Sequence, residues 1–267
     1  MQNLLSLPGR DRPVRMPELA VHRFRCPDGV ELAWREVGAG RPFVMLHGLM
    51  GSGARLADQG LVPALAGHGY RVILPGLRRH GDSGRPHDPA CYLPDILADD
   101  MLALIAHLGL DGYDLGGYSM GGKLVLRLLA RGARPAHAVV GGQGLDALDA
   151  ESDRTDGHRR TLAAVASGAA LPSGSPEEAM ANWIRDSGVD PRAVGLVLGA
   201  FVATPADALR SVSVPTLVIV GDRDSRGATA GSLAGVLPQG RLVVVPGDHV
   251  TTPGAAEFTT AVLEFLG

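Results

Sequence analysis

Short, almost wholly apolar runs alternate along this chain with longer stretches in which apolar residues recur at helical spacing. The first two runs, "LAVHRFRC" at 19–26 and "VELAWREV" at 30–37, are separated by the turn tripeptide "PDG" and read as an antiparallel hairpin. Six more follow: "FVMLHG" at 43–48, "RVILP" at 71–75, "YDLGGYS" at 113–119, "HAVVGG" at 137–142, "PTLVIVGD" at 215–222 and "RLVVVPGD" at 241–248. Continuous apolar runs of this length suit strands buried on both faces of a parallel sheet. Between them the pattern predicts helices over about 54–67, 93–109, 120–132, 227–236 and 254–266. The whole is an α/β protein: a mostly parallel eight-stranded sheet covered by helices on both faces. Reactive groups then belong in the loops at the carboxyl ends of the strands.

Residues 146–207 break the alternation. They hold helical patches such as "HRRTLAAVA", "PEEAMANWIRDSG" and "PRAVGLVLGAFV", joined by breakers such as "LPSGSP", and no convincing strand. The expected organisation is a flexible arm over 1–18, a core over 19–145 and 208–267, and a helical cap inserted at 146–207.

Composition narrows the partners. The 267 residues carry a formal net charge of -3 with the arginines scattered, so no basic stripe offers itself to nucleic acid. Cys26 and Cys91 stand alone, without the spacing of a zinc site or a disulfide framework. No run of 18 apolar residues spans a membrane, and the first 18 residues lack a secretory pattern, so the expected address is the cytoplasm. The sequence is compatible with a homodimer without specifying one.

Candidate chemistry begins at "GYSMG", where Gly117, Ser119 and Gly121 form G-x-S-x-G between a predicted strand and a predicted helix. A sharp strand-to-helix turn crowds the serine backbone, and glycines on either side relieve the crowding while the hydroxyl is held out. Serine is a weak nucleophile unless a base takes its proton and an acid orients that base. Downstream, "VGDRD" closes one strand with Asp222 and Asp224, and "PGDHV" closes the next with Asp248 and His249. Spacing alone leaves the choice between Asp222 and Asp224 open. Two amides suit a developing oxyanion: that of Met120, after the serine, and that of Leu49, in the turn "HGLMGSG".

These motifs together resemble the α/β-hydrolase fold superfamily, and within it the small capped esterases, lactonases and C–C hydrolases. The likeness runs over residues 20–267 through "HGLMGS", "GLRRHGDSGRP", "GYSMGG", "GDRD" and "GDH". It implies a triad of Ser119, Asp224 and His249, with oxyanion donors at Leu49 and Met120. The chain departs from the family pattern at Gly76 and Arg79 in the loop after the fourth strand, and at Asp248, where relatives usually carry glycine.

The expected reaction is two-step acyl transfer from a small to medium carboxylic ester or lactone to water, with no metal or organic cofactor. Alternatives on the same triad are C–C bond hydrolysis and cofactor-free haloperoxidase or perhydrolase chemistry. A ligand receptor of low turnover is the alternative from another class. Met50, Trp183 and Phe201 are the candidate substrate contacts, with Met180, Leu196 and Leu198 as further apolar cap residues. Aromatic residues make up only 4% of the chain, too few to advertise an extended stacking site.

Overall fold

A computed structural model describes residues 19–148, 153–187 and 190–267. The arm expected over 1–18 lies outside the described residues. Eight strands form one sheet: β1 (His22–Arg25), β2 (Glu31–Val37), β3 (Arg41–Leu46), β4 (Tyr70–Pro75), β5 (Asp114–Tyr118), β6 (Ala138–Gly141), β7 (Thr216–Gly221) and β8 (Gly240–Val245). Their order is β1-β2-β4-β3-β5-β6-β7-β8, antiparallel at the β1-β2 and β2-β4 pairings and parallel from β4 onward. The expected α/β class and the mostly parallel eight-stranded sheet are both observed.

Of the six apolar runs that follow the hairpin, all but the last become inner strands with two faces to satisfy, whereas β8 lies at the sheet edge with Leu242 and Val244 exposed. In β7, Leu217 and Ile219 pack on one side with Phe43, Met45, Val72 and Phe258, while Val218 and Val220 pack on the other with Leu115, Leu124 and Leu233. Alternate side chains point to opposite faces, so both periods of the strand must be apolar. Helices α1 (Gly53–Ala57), α2 (Leu61–Gly67) and α10 (Ala256–Leu266) cover the first face, and α3 (Ile96–His107), α4 (Met120–Ala130) and α9 (Gly227–Val236) the second.

The single helix expected over 54–67 is two. The first ends at Ala57 with Asp58 as its cap, a turn follows, and the second begins at Leu61. Close packing places the first turn of α1 against the sheet: a Cβ on Gly53 would lie 2.3 Å from the Leu74 carbonyl oxygen.

Between β6 and β7 the described residues contain only helical elements: a short 3-10 turn at Leu145–Leu148, then α5 (Asp153–Ser167), α6 (Pro176–Ser187), α7 (Pro191–Gly199) and α8 (Ala206–Leu209). Leu162, Ile184, Val194 and Leu198 from α5, α6 and α7 form a small apolar cluster that also takes in Leu49, Met50 and Met180. This segment therefore rests on the turn that follows β3. Among the described residues no helix is long and apolar enough to cross a membrane.

Candidate active site

β5 ends at Tyr118, Ser119 takes φ 56° and ψ -120°, and α4 begins at Met120. A non-glycine residue adopts such a backbone only when its surroundings impose it. Here they do: the Ser119 amide donates to the Gly141 carbonyl at 2.9 Å, and the Ser119 carbonyl accepts from the Lys123 amide at 3.0 Å and from the Gln143 side-chain amide. The flanking glycines follow from contact distances. A Cβ on Gly117 would stand 2.4 Å from the Gly121 carbonyl, and one on Gly121 would stand 2.1 Å from the Leu46 carbonyl oxygen.

The partners of the serine arrive on neighbouring strands. Parallel pairing of β7 with β8, with Gly221 opposite Val245, sets their following loops side by side. Amides of Asp222 and Arg223 donate to the Val245 and Gly247 carbonyls, stitching the two loops together. Ser119 Oγ lies 2.9 Å from His249 Nε2, and His249 Nδ1 lies 2.7 Å from Asp224 Oδ2. The imidazole thus donates through Nδ1 to the carboxylate and accepts the serine hydroxyl at Nε2. Tyr118 helps hold this loop, its hydroxyl donating to the His249 carbonyl at 2.9 Å.

Asp224 has a fully buried side chain, and burial by itself works to raise the pKa of a carboxyl group. Hydrogen bonds from His249 and from the Arg226 amide, with the nearby guanidinium of Arg226, outweigh burial and hold the group below its ordinary value. A carboxylate is therefore present beside the imidazole at neutral pH.

The other two acids have different work. Asp222 accepts from the Gly247 amide at 2.9 Å and braces the loop pair. Asp248 accepts from the amides of Val250 and Thr251 and from the Thr251 hydroxyl, all at 2.9 Å, so its carboxylate closes its own turn.

The amide of Met120 opens α4, where the first N–H groups have no intrahelical acceptor. Pairing of β3 with β5, Leu46 opposite Gly117, brings the turn after β3 beside the serine, and the Gly48 backbone is close enough for a Cβ there to lie 3.6 Å from Ser119 Cβ. Within that turn His47 acts as a hinge pin. Its Nε2 accepts the Leu77 amide at 3.0 Å, so its proton sits on Nδ1, which donates to the Gly48 carbonyl at 2.8 Å. Burial, with nearby His80, pushes the His47 pKa down to about 3, which keeps the ring neutral. The Gly48 carbonyl belongs to the same peptide plane as the Leu49 amide, so fixing one fixes the other. His80 reaches the next plane, its Nε2 being 2.6 Å from the Leu49 carbonyl oxygen.

His47, His80, Gln143 and Tyr118 are absent from the sequence expectations. Position gave a signal only for His47 and His80, which lie within the two glycine-rich loops. Their partners are backbone atoms, which no residue pattern displays.

The substrate candidates separate. Met50 and Leu49 lie in the cluster beneath α5, α6 and α7, and Met120 is buried at the head of α4. Phe201 is half-buried against the main core, with the Lys123 ammonium 5.5 Å from its ring centre. Trp183 is 44% exposed and lies outside the cluster that takes Met180 and Ile184.

Comparison with known proteins agrees with this architecture. The family model for the alpha/beta hydrolase fold matches residues 41–162. A non-heme haloperoxidase of Rhodococcus erythropolis is 32% identical over 252 residues, covering 82% of this chain and 89% of that protein. The AB hydrolase superfamily protein YisY of Bacillus subtilis is 36% identical over 110 residues, which span 41% of this chain and 40% of that one. Among solved structures, the enol-lactonase of Burkholderia xenovorans superposes with a TM-score of 0.69 at 26% identity, over 92% of this chain and 99% of that one. With a serine on the turn after the fifth strand, a matching family model and a relative 32% identical over 82% of this chain, the chain belongs to the α/β-hydrolase fold superfamily.

Proposed function

We propose that this protein is a serine hydrolase that cleaves small to medium carboxylic esters or lactones through an acyl-enzyme. The observation that carries the reading is the unbroken relay from Ser119 Oγ to His249 at 2.9 Å and on to Asp224 at 2.7 Å. His249 takes the serine proton as Oγ attacks the carbonyl carbon, and the oxyanion is received by the Leu49 and Met120 amides. Collapse of the tetrahedral intermediate breaks the ester bond, and His249 returns the proton to the leaving alkoxide. Water, deprotonated by the same imidazole, then releases the acid. Asp224 holds the imidazole tautomer and stabilises the imidazolium. The likeness to an enol-lactonase supports the lactone as a substrate class.

The test is hydrolysis of p-nitrophenyl acetate, butyrate and octanoate, and of a small lactone, beside the Ser119→Ala variant. Turnover should fall by roughly 10³-fold or more in the variant. Equal rates in both proteins would overturn the reading.

A second reading follows from the haloperoxidase relative. Hydrogen peroxide in place of water would attack the acyl-enzyme, yield a peracid, and let that peracid oxidise bromide. Bromination that requires acetate, peroxide and Ser119 together would support it; bromination that persists in Ser119→Ala would count against it.

A further inference from the structure

Arg79 occupies a position that the mechanism does not explain. Its φ is 68°, a left-handed backbone that suits glycine, yet it carries a long side chain of which only 1% is exposed. Its Nε is buried with no hydrogen-bond partner. Neither feature serves the serine, histidine or aspartate, so the reason for the arginine lies in where its other nitrogens go. Nη1 donates to the Pro86 carbonyl within the same loop, and that carbonyl also accepts the Tyr92 hydroxyl at 3.0 Å. The guanidinium carbon stands 5.9 Å from the centre of the Tyr92 ring. Nη2 crosses 111 positions of sequence to Asp190 Oδ2 at 2.7 Å.

Asp190 begins α7. Its Oδ1 accepts the Arg192 amide at 3.0 Å and its carbonyl accepts the Val194 amide at 3.2 Å. Beyond α7 the chain is held again, the Ala200 carbonyl accepting the Asp95 amide at 2.9 Å and the Ala203 carbonyl accepting Arg127 Nη1 at 3.2 Å. Between these anchors Val194 and Leu198 pack in the cluster that contains Leu49 and Met50. The residue after Arg79, His80, contacts the Leu49 carbonyl from below. Two consecutive residues of one loop thus hold the proposed oxyanion turn and the helix that covers it.

We infer that the Arg79–Asp190 ion pair is a latch that fixes the start of α7 over Leu49 and Met50 and thereby restricts the length of acyl chain the site accepts. Both are positioning residues; neither meets the reacting atoms. The inference about acyl length rests on the ester-hydrolase reading, whereas the fastening of α7 does not.

The experiment uses full-length Arg79→Gly, Asp190→Asn, the double variant and Asp190→Glu. Glycine is at ease at φ 68° and asparagine keeps the shape of aspartate, so neither substitution adds backbone strain or steric conflict, and far-UV circular dichroism of each variant checks that the fold is kept. Two readouts are taken: the rate of limited thermolysin cleavage within residues 168–200, and the ratio of kcat/KM for p-nitrophenyl octanoate to that for the acetate. Each single variant should raise both on the order of fivefold, the double variant should go no further, and Asp190→Glu should stay near wild type. Wild-type values in both single variants, or effects that multiply in the double, would overturn the latch. If the wild type shows no Ser119-dependent turnover, the hydrolase reading fails while the cleavage rates still decide whether the pair fastens α7.

Discussion

At the scale of single residues, the site depends on a few distances that leave no room for substitution. Gly121 faces the Leu46 carbonyl so closely that the added methyl of Gly121→Ala must push α4 away from β3. That variant should lose about 3 kcal/mol of stability, measured as a shift in the urea midpoint at unchanged slope. The two aspartates of the loop after β7 make a sharper comparison. Asp224 hydrogen-bonds the imidazole, whereas Asp222 accepts a backbone amide. Asp224→Ala should lower kcat/KM for p-nitrophenyl butyrate about 10³- to 10⁴-fold, and Asp222→Ala less than about tenfold. Similar losses in both would mean that loop geometry, rather than contact with His249, sets the rate.

At the scale of elements, the turn after β3 and the loop after β4 work as one unit through His47 and His80. Both rings are buried, and burial holds both pKa values down, that of His47 to about 3. The sign of the resulting pH dependence follows. In the unfolded chain a histidine takes up a proton near its ordinary pKa of about 6.5, while buried His47 resists it. Its contribution is complete above about pH 6.5 and is lost progressively as pH falls toward about 3. Denaturation midpoints of His47→Gln should therefore vary less between pH 6.5 and pH 4 than those of the wild type. An identical pH slope in the two proteins would show that His47 titrates freely in the folded state.

At the scale of the whole molecule, a buried arginine ties distant parts of the core together. Arg78 is fully buried and donates through Nε and Nη2 to Asp100 of α3, and through Nη1 to Asp28 in the β1–β2 turn and to the Cys91 carbonyl. Burial opposes its charge, but the hydrogen bonds to Asp100 and Asp28 outweigh it. Arg78→Met would strand the Asp100 carboxylate, itself only 2% exposed, and should cost about 3–5 kcal/mol. Adding Asp100→Asn should return part of that loss, since an amide is cheaper to bury than an unpaired charge. Thermal or urea unfolding of the single and double variants measures both terms.

The same three scales divide what the chain alone made readable. Six apolar runs bounded by turn residues, and the hairpin that precedes them, made all eight strands and the mostly parallel sheet legible from sequence. The serine between Gly117 and Gly121 was legible too, because tight backbone approach restricts residue type locally. The interruption of the helix expected over 54–67 was not, because the apolar spacing continues across a break that falls at Asp58–Gly60. Nor could spacing separate Asp222 from Asp224: both close the same strand, and only the position of His249 on the neighbouring loop distinguishes them. Asp248, adjacent to that histidine in sequence, turns its carboxylate into its own loop instead. Local pattern determined the strands, the elbow and the order of candidate groups, because each depends on neighbours along the chain. Which acid meets the base, which backbone planes His47 and His80 hold, and where Arg79 reaches were decided by tertiary structure, because those contacts join residues brought together only when the sheet is complete.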